Sequence, residues 1–205
     1  MINLIAHIIH QPERTDRLQN ILNQTAEQVI AYRHIYPIKD HSPVRSLTLT
    51  HQMLVREADT HNYPNILIME DDVAFTAPGA FRHFLANMPE DFDIYTAGSY
   101  GHACKPYDWW ENTVSIKNMS GTHCYVVNNR FYKKFLSMDY NMLIDRAISE
   151  AATTVKMCIP MTALQIPGYS DLKKCDVDYN RDYIGFPLYH TSVEDFCNKF
   201  AESEQ

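Results

Sequence analysis

Apolar positions along the chain alternate between short continuous runs and longer stripes at helical spacing. Ile2 to Ile9 is almost unbroken apolar sequence and closes at His10-Gln11-Pro12, which reads as a short buried strand. From Arg14 to Ile30 the spacing changes: Leu18, Ile21, Leu22, Ala26 and Val29 share one face of a charged helix. Tyr32 to Ile38 reads as a second strand. Ser46 to His61 reads as a helix with a partial stripe of Leu47, Leu49, Met53, Leu54 and Ala58. Pro64 then breaks the chain before Ile66-Leu67-Ile68-Met69, a strand that runs straight into Glu70-Asp71-Asp72.

The second half continues the alternation. Helices are predicted over Pro78 to Met88, Asn129 to Met138 and Leu143 to Thr153, and strands over Phe92 to Ala97, Thr122 to Val127 and Val155 to Ile159. Gly98 to Ser120, with Trp109-Trp110, reads as an irregular aromatic-rich segment. Gly168 to His190 reads as loop, and Val193 to Glu204 as a terminal helix. Strands alternating with helices predict an α/β fold with a mostly parallel sheet flanked by helices. With no repeat, linker or low-complexity tract, residues 1–205 read as one domain.

Composition narrows the classes. A formal net charge of −7, from 25 acidic and 18 basic residues, argues against a protein whose affinity rests on neutralising many phosphates, although a local basic groove is compatible with it. Cys104, Cys124, Cys158, Cys175 and Cys197 form no CxxC pair, so neither a zinc ribbon nor a disulfide framework is indicated. An odd, widely spaced set suits reduced thiols in a cytosol-like compartment. Met1 to Ile9 lacks a basic leader and a cleavage site. No later run reaches the roughly 18 to 20 apolar residues of a membrane span. A soluble, cytoplasmic protein is expected.

The chemistry concentrates at Glu70-Asp71-Asp72. In open α/β sheets ligands bind beyond the carboxyl ends of the strands, where this triplet falls. Adjacent carboxylates repel unless a cation or strong donors offset them. Mg²⁺ or Mn²⁺ takes one or two carboxylates together with substrate phosphates. Alternation along an extended chain would put Glu70 and Asp72 on one side and Asp71 on the other. Solvated acids at a strand end are the competing reading. The chain has no phosphate loop ending in Lys-Ser/Thr, no GxGxxG after its first strand and no GxSxG elbow.

The segment Asn65-Ile-Leu-Ile-Met-Glu-Asp-Asp-Val73 resembles the strand and metal motif of glycosyltransferase family 25, the lipooligosaccharide and procollagen galactosyltransferase group, whose Asp-x-Asp variant is commonly written Glu-Asp-Asp. Arg14-x-x-Arg17 after the first strand, Ser46 to His51, Gly121-Thr-His-Cys-Tyr-Val-Val127, Leu143-Ile-Asp145, and Gln165 followed by Ser170-Asp171-Leu172 resemble further motifs of that family in the same order. Together they span Ile2 to Leu172.

The resemblance implies a GT-A fold, a Rossmann-like sheet holding a nucleotide-sugar, typically a UDP-sugar, at its carboxyl edge. It implies that Asp72 sits beside a Mn²⁺ or Mg²⁺ ion, with Glu70 in place of the first aspartate and Asp71 close to the donor. Arg14 and Arg17 suit the phosphates, since guanidinium pairs well with them. His51 is a candidate donor contact, and His190 a candidate third metal ligand from near the C-terminus. Inverting transfer needs a base; Asp145 is the first candidate and Asp171 the second. The acceptor would be a hydroxyl of a glycan or protein, or of a modified nucleic-acid base. Two other classes fit the same acids: a metal-dependent phospho- or nucleotidyltransferase, and a non-catalytic nucleotide-sugar-binding module.

Overall fold

The computed structural model of the chain describes residues 4–99, 102–103 and 112–178. In chain order its elements begin with β1 (Ala6–Ile9), α1 (Thr15–Glu27), β2 (Tyr32–Ile35), α2 (Pro43–Thr60), β3 (Asn65–Glu70) and β4 (Val73–Phe75). They continue with α3 (Ala80–Ala86), β5 (Ile94–Thr96), β6 (His102–Ala103), β7 (Thr113–Lys117) and β8 (Cys124–Asn128). A 3-10 turn (Asn129–Phe131) leads into α4 (Tyr132–Leu136) and α5 (Ile144–Ala151), and β9 (Val155–Cys158), β10 (Ala163–Gln165), β11 (Gly168–Ser170) and β12 (Cys175–Val177) follow.

Eight strands form one sheet in the order β2-β1-β3-β8-β5-β9-β7-β6. Only β8 and β7 run against the other six, so the sheet is mostly parallel. Successive residues feed opposite faces. Ile66, Ile68, Tyr125 and Val127 pack with Leu54 and Val55 of α2, Phe135 of α4 and Ile148 of α5. Leu67, Met69, Cys124 and Val126 pack with Ile21 of α1 and with Phe81 and Phe84 of α3. Burial on both faces is why β1 and β3 read as continuous apolar runs rather than alternating ones. The architecture is the Rossmann-like α/β sheet flanked by helices that the sequence predicts.

The differences are local. The Gly98 to Ser120 segment, read as irregular, contains β7, which pairs with β9; Trp109-Trp110 lies outside the described residues. The tail read as loop carries the β11–β12 hairpin, and β4 and β10 form a second small ribbon. These strands are three to five residues long, too short to show a period in sequence. The helix predicted from Asn129 opens as a 3-10 turn, and the predicted C-terminal helix lies outside the described residues.

Helix α2 has a clear start: Ser42 caps it, accepting from Arg45 N, and Pro43 occupies the first turn, where a missing N–H costs nothing. Helix α1 stops earlier than its apolar stripe suggests. Ile30 N bonds Thr25 O at 2.9 Å and Val29 N bonds Ala26 O at 3.4 Å, a Schellman-type ending. Val29 therefore sits at φ 55° and is 87% exposed instead of lying on the buried face.

A β-branched residue in the left-handed region is strained by roughly 1–2 kcal/mol. Val29→Gly is expected to raise stability by about 1 kcal/mol after the added flexibility of the unfolded chain is offset. The readout is the urea midpoint at unchanged slope. A lower midpoint would mean that the Val29 side chain supplies packing its exposure does not reveal.

Candidate functional site

The chain reverses its winding direction at β1. It moves outward from β1 through α1 to β2, then returns through α2 to β3 on the other side of β1. The carboxyl ends of β1 and β3 lie side by side, with Ile9 opposite Glu70, and both helices begin at that same edge. Strand β8 runs the other way, so its start lies there too: Met69 is paired with Cys124, and Glu70 N bonds His123 O at 3.0 Å. Such a switch point is where open α/β sheets bind ligands, with helix N-termini supplying positive dipole ends. A cleft of about 170 Å³ opens there, lined among others by Arg17, Ser46, Glu70, Asp71, Asp72 and Asp171.

The three acids divide their partners. Glu70 turns toward α2 and β8: its Oε1 accepts from the Thr122 hydroxyl and lies 3.6 Å from His51 Nε2. Asp71 is held from the other side, Oδ1 by Arg17 at 2.7 Å and Oδ2 by His10 Nδ1 at 3.1 Å. Asp72 Oδ2 accepts from Arg17 at 3.3 Å and from Gln165 Nε2 at 3.3 Å, while its Oδ1 is buried with no hydrogen-bond partner among the described residues. Strict alternation would have separated Asp71 from Asp72. The strand ends at Glu70, however, and the next two residues form a turn, so one guanidinium reaches both carboxylates.

The electrostatics follow from this division. Burial, then the neighbouring Glu70 charge, pushes the Asp72 carboxyl up to about 7, against the pull of Arg17. Burial also opposes the charge on Glu70, but His51 and the Thr122 hydrogen bond outweigh it and hold that carboxyl below its usual range. Burial works against the Arg17 charge as well, yet Asp72 and Asp71 leave that guanidinium more firmly protonated than usual. His123, fully buried at the start of β8, is pushed down to about 4 by desolvation, so its imidazole is neutral at pH 7.

The remaining candidates take different places. Arg14 pairs with Asp16 at 2.9 Å and lies 3.7 Å from Asp171. Both Arg14 and Arg17 donate to Tyr169 O, at 3.3 and 3.1 Å, fastening the β11–β12 hairpin over the cleft. Asp171 sits at that hairpin's turn, 41% exposed by side chain, and accepts from Gln11. His51 is wholly buried behind Glu70. Asp145, in the first turn of α5, accepts from Gly121 N at 3.2 Å and from the Ser120 hydroxyl at 3.4 Å. His190 lies outside the described residues.

Sequence reasoning missed His10, Thr122 as a Glu70 donor, and Asn20, whose amide bonds the carbonyls of Asp71 and Val73 and fixes the turn. The position of His10, next after a buried strand, was the available signal. Among the described residues no group of three or more His, Cys, Asp or Glu side chains is arranged as a metal cage. Likewise no helix among them is long and apolar enough to cross a membrane.

No protein-family model and no curated protein sequence matches the chain. Among solved structures, it is similar to mannose-1-phosphate geranyltransferase from Thermus thermophilus, at 9% identity and TM-score 0.45 over 77% of this chain and 74% of that one. It is similar to a glycosyltransferase involved in glycosylating the major capsid of PBCV-1, at 12% identity and TM-score 0.40 over 64% of this chain and 63% of that one. It is also similar to HddC from Yersinia pseudotuberculosis, at 12% identity and TM-score 0.42 over 95% of this chain and 79% of that one. At these scores the likenesses carry no functional residue over to this chain.

The Asp72 environment has a measurable consequence. Folded, Asp72 keeps its proton up to about pH 7; unfolded, it releases it near 3.8. Between those values the folded state binds more protons, so this group's contribution to stability falls as pH rises. With chelator present, the stability of Asp72→Asn relative to wild type is expected to increase from about pH 4 to pH 7. A pH-independent difference in paired denaturation curves would show instead that Arg17 and Gln165 keep Asp72 ionised throughout.

Proposed function

We propose that the chain is a metal-dependent glycosyltransferase of the family 25 kind, moving a sugar from a nucleotide-sugar, with a UDP-sugar as first candidate, to a hydroxyl of a glycan or protein. The observation that carries this reading is the buried, unpartnered Oδ1 of Asp72 beside Glu70 at the open end of β3. A carboxylate oxygen shielded from water without a donor is costly, and a hard divalent cation fits that oxygen chemistry. Support also comes from convergence. Arg17, Glu70, Asp72, Gln165 and Asp171, drawn from motifs spread over some 150 residues of sequence, line one cleft.

In this reading Glu70 and Asp72 would hold Mn²⁺ or Mg²⁺. The cation would neutralise charge building on the departing diphosphate. The chain's own groups do the rest. Arg17, and Arg14 beside it, present guanidinium N–H groups at the start of α1, where the helix dipole also favours phosphate. Asp71 is committed to Arg17 and His10, and so orients that arginine rather than binding the donor itself. The Asp145 carboxylate, held by the Ser120-Gly121 turn one residue before Thr122, would take the acceptor proton.

The test is release of nucleoside diphosphate from a panel of nucleotide-sugars, with Mn²⁺ or with chelator, for wild type and Asp72→Asn. Metal-dependent turnover of one donor is expected, falling by about two orders of magnitude in the variant, the scale of the several kcal/mol a catalytic cation supplies. Release of sugar 1-phosphate from the same donors, or of pyrophosphate when a nucleoside triphosphate and a sugar phosphate are offered instead, would assign the site to nucleotidyl transfer. Failure of the wild-type protein to turn over any donor and to bind UDP with Mn²⁺ would remove the transferase reading altogether.

A further inference from the structure

His51 lies in the third turn of α2 and is fully shielded from solvent. A buried imidazole whose two nitrogens are not both satisfied is costly. Its surroundings are specific. Tyr125, directly behind it on β8, is also fully buried; the rings stack at 5.7 Å with an interplanar angle of 18°, and His51 Nδ1 lies 2.6 Å from the Tyr125 hydroxyl. The other nitrogen, Nε2, has no partner among the described residues within hydrogen-bond distance and faces Glu70 Oε1 at 3.6 Å. The registry of β3 against β8 produces this line. Tyr125 pairs with Ile68, and Glu70 follows two residues later on the same face of the sheet, toward α2.

The tautomer follows from chemistry. If the ring carried a single proton, on Nδ1, the Nε2 lone pair would point at a carboxylate oxygen, acceptor against acceptor. If the phenol donates to Nδ1, Nε2 carries the proton and presents an N–H to Oε1. The Thr122 hydroxyl donates to the same oxygen. Oε1 thus accepts one hydrogen bond, from Thr122, and has the His51 ring facing it from 3.6 Å, while no described residue bonds Oε2, which is left to the cleft.

We propose that Tyr125 and His51 form a buried relay that positions Glu70, holding Oε1 inward so that Oε2 faces the cleft as a ligand for the cation. His51 is accordingly a positioning residue that touches neither donor nor acceptor. This rests on the transferase reading for the identity of the cation, and on the geometry alone for the orientation of Glu70. Removing partners that orient a metal ligand costs about 10–100-fold in metal affinity or activity.

Three proteins test it: wild type, His51→Leu, which fills the space without a donor, and Tyr125→Phe, which keeps the stacked ring and deletes only the hydroxyl that sets the tautomer. Mn²⁺ binding in the presence of UDP is followed by electron paramagnetic resonance, with thermal unfolding in chelator measured alongside. The expected result is an about 10–100-fold weaker Mn²⁺ affinity in His51→Leu and a smaller loss in Tyr125→Phe. UDP binding without metal should stay within about twofold of wild type, since His51 and Tyr125 are fully buried and line no part of the cleft, and both variants should remain cooperatively folded. In ¹⁵N-histidine spectra of the metal-free wild type, His51 should carry its proton on Nε2, whatever the cation. Wild-type Mn²⁺ affinity in folded variants, or an Nε2 that carries no proton, overturns the relay while leaving the transferase reading intact. If His51→Leu does not fold, Tyr125→Phe decides alone by the same measure. A wild-type protein that binds no Mn²⁺ with UDP overturns the transferase reading and the relay's role in it together.

Discussion

Three successive carboxylates at the mouth of a strand buried on both faces must be offset by groups brought from elsewhere, and much of this sheet edge is arranged by that requirement. Charge taken out of water is tolerated only with partners in good geometry. Arg17 and His10 take Asp71, Arg17 and Gln165 take one oxygen of Asp72, and Thr122 takes one oxygen of Glu70 with His51 facing it at 3.6 Å. These groups come from α1, the end of β1, α2, the start of β8 and the end of β10. Their meeting point is the topological switch of the sheet. What stays uncompensated is the inner oxygen of Asp72, on which the proposed cation site rests.

Arg17 connects this electrostatics to the shape of the cleft. The same guanidinium that bridges two carboxylates also donates to Tyr169 O, so the β11–β12 hairpin is fastened to the acid cluster through one side chain. The short β4–β10 ribbon does similar work from below. Pairing of Val73 with Gln165 places the Gln165 amide against Asp72, and Ile166 N bonds the Asp72 carbonyl. Under the proposed function, substrate phosphates entering here would meet arginines already ordered by carboxylates, a preorganised arrangement that loses little side-chain freedom on binding.

How much of this was legible beforehand depended on the range of the cause. Continuous apolar runs at β1 and β3 and the helical stripe of α2 gave their elements away, because burial on one or two faces is written locally as period. Glu70-Asp71-Asp72 stood out because three acids directly after an apolar strand are hard to explain as core or as an ordinary loop. By contrast, β4, β10, β11 and β12 have three residues each, below any readable period. Val29 was misplaced because an apolar residue at helical spacing looks like core, whereas the helix had already ended in a left-handed turn.

What the sequence determined by itself was the alternation of strands and helices, the doubly covered sheet and the strand end where the acids gather, since each follows from the side chains of neighbouring residues. Only the tertiary structure decided which acid does what. Asp71 and Asp72 share Arg17 because the chain turns after Glu70, and His51 lies behind Glu70 instead of facing the cleft because α2 packs on β3 and turns that ring onto Tyr125 of β8. Orientation and partnership of this kind arise between residues far apart in the chain, where sequence spacing carries no distance, and packing alone sets them.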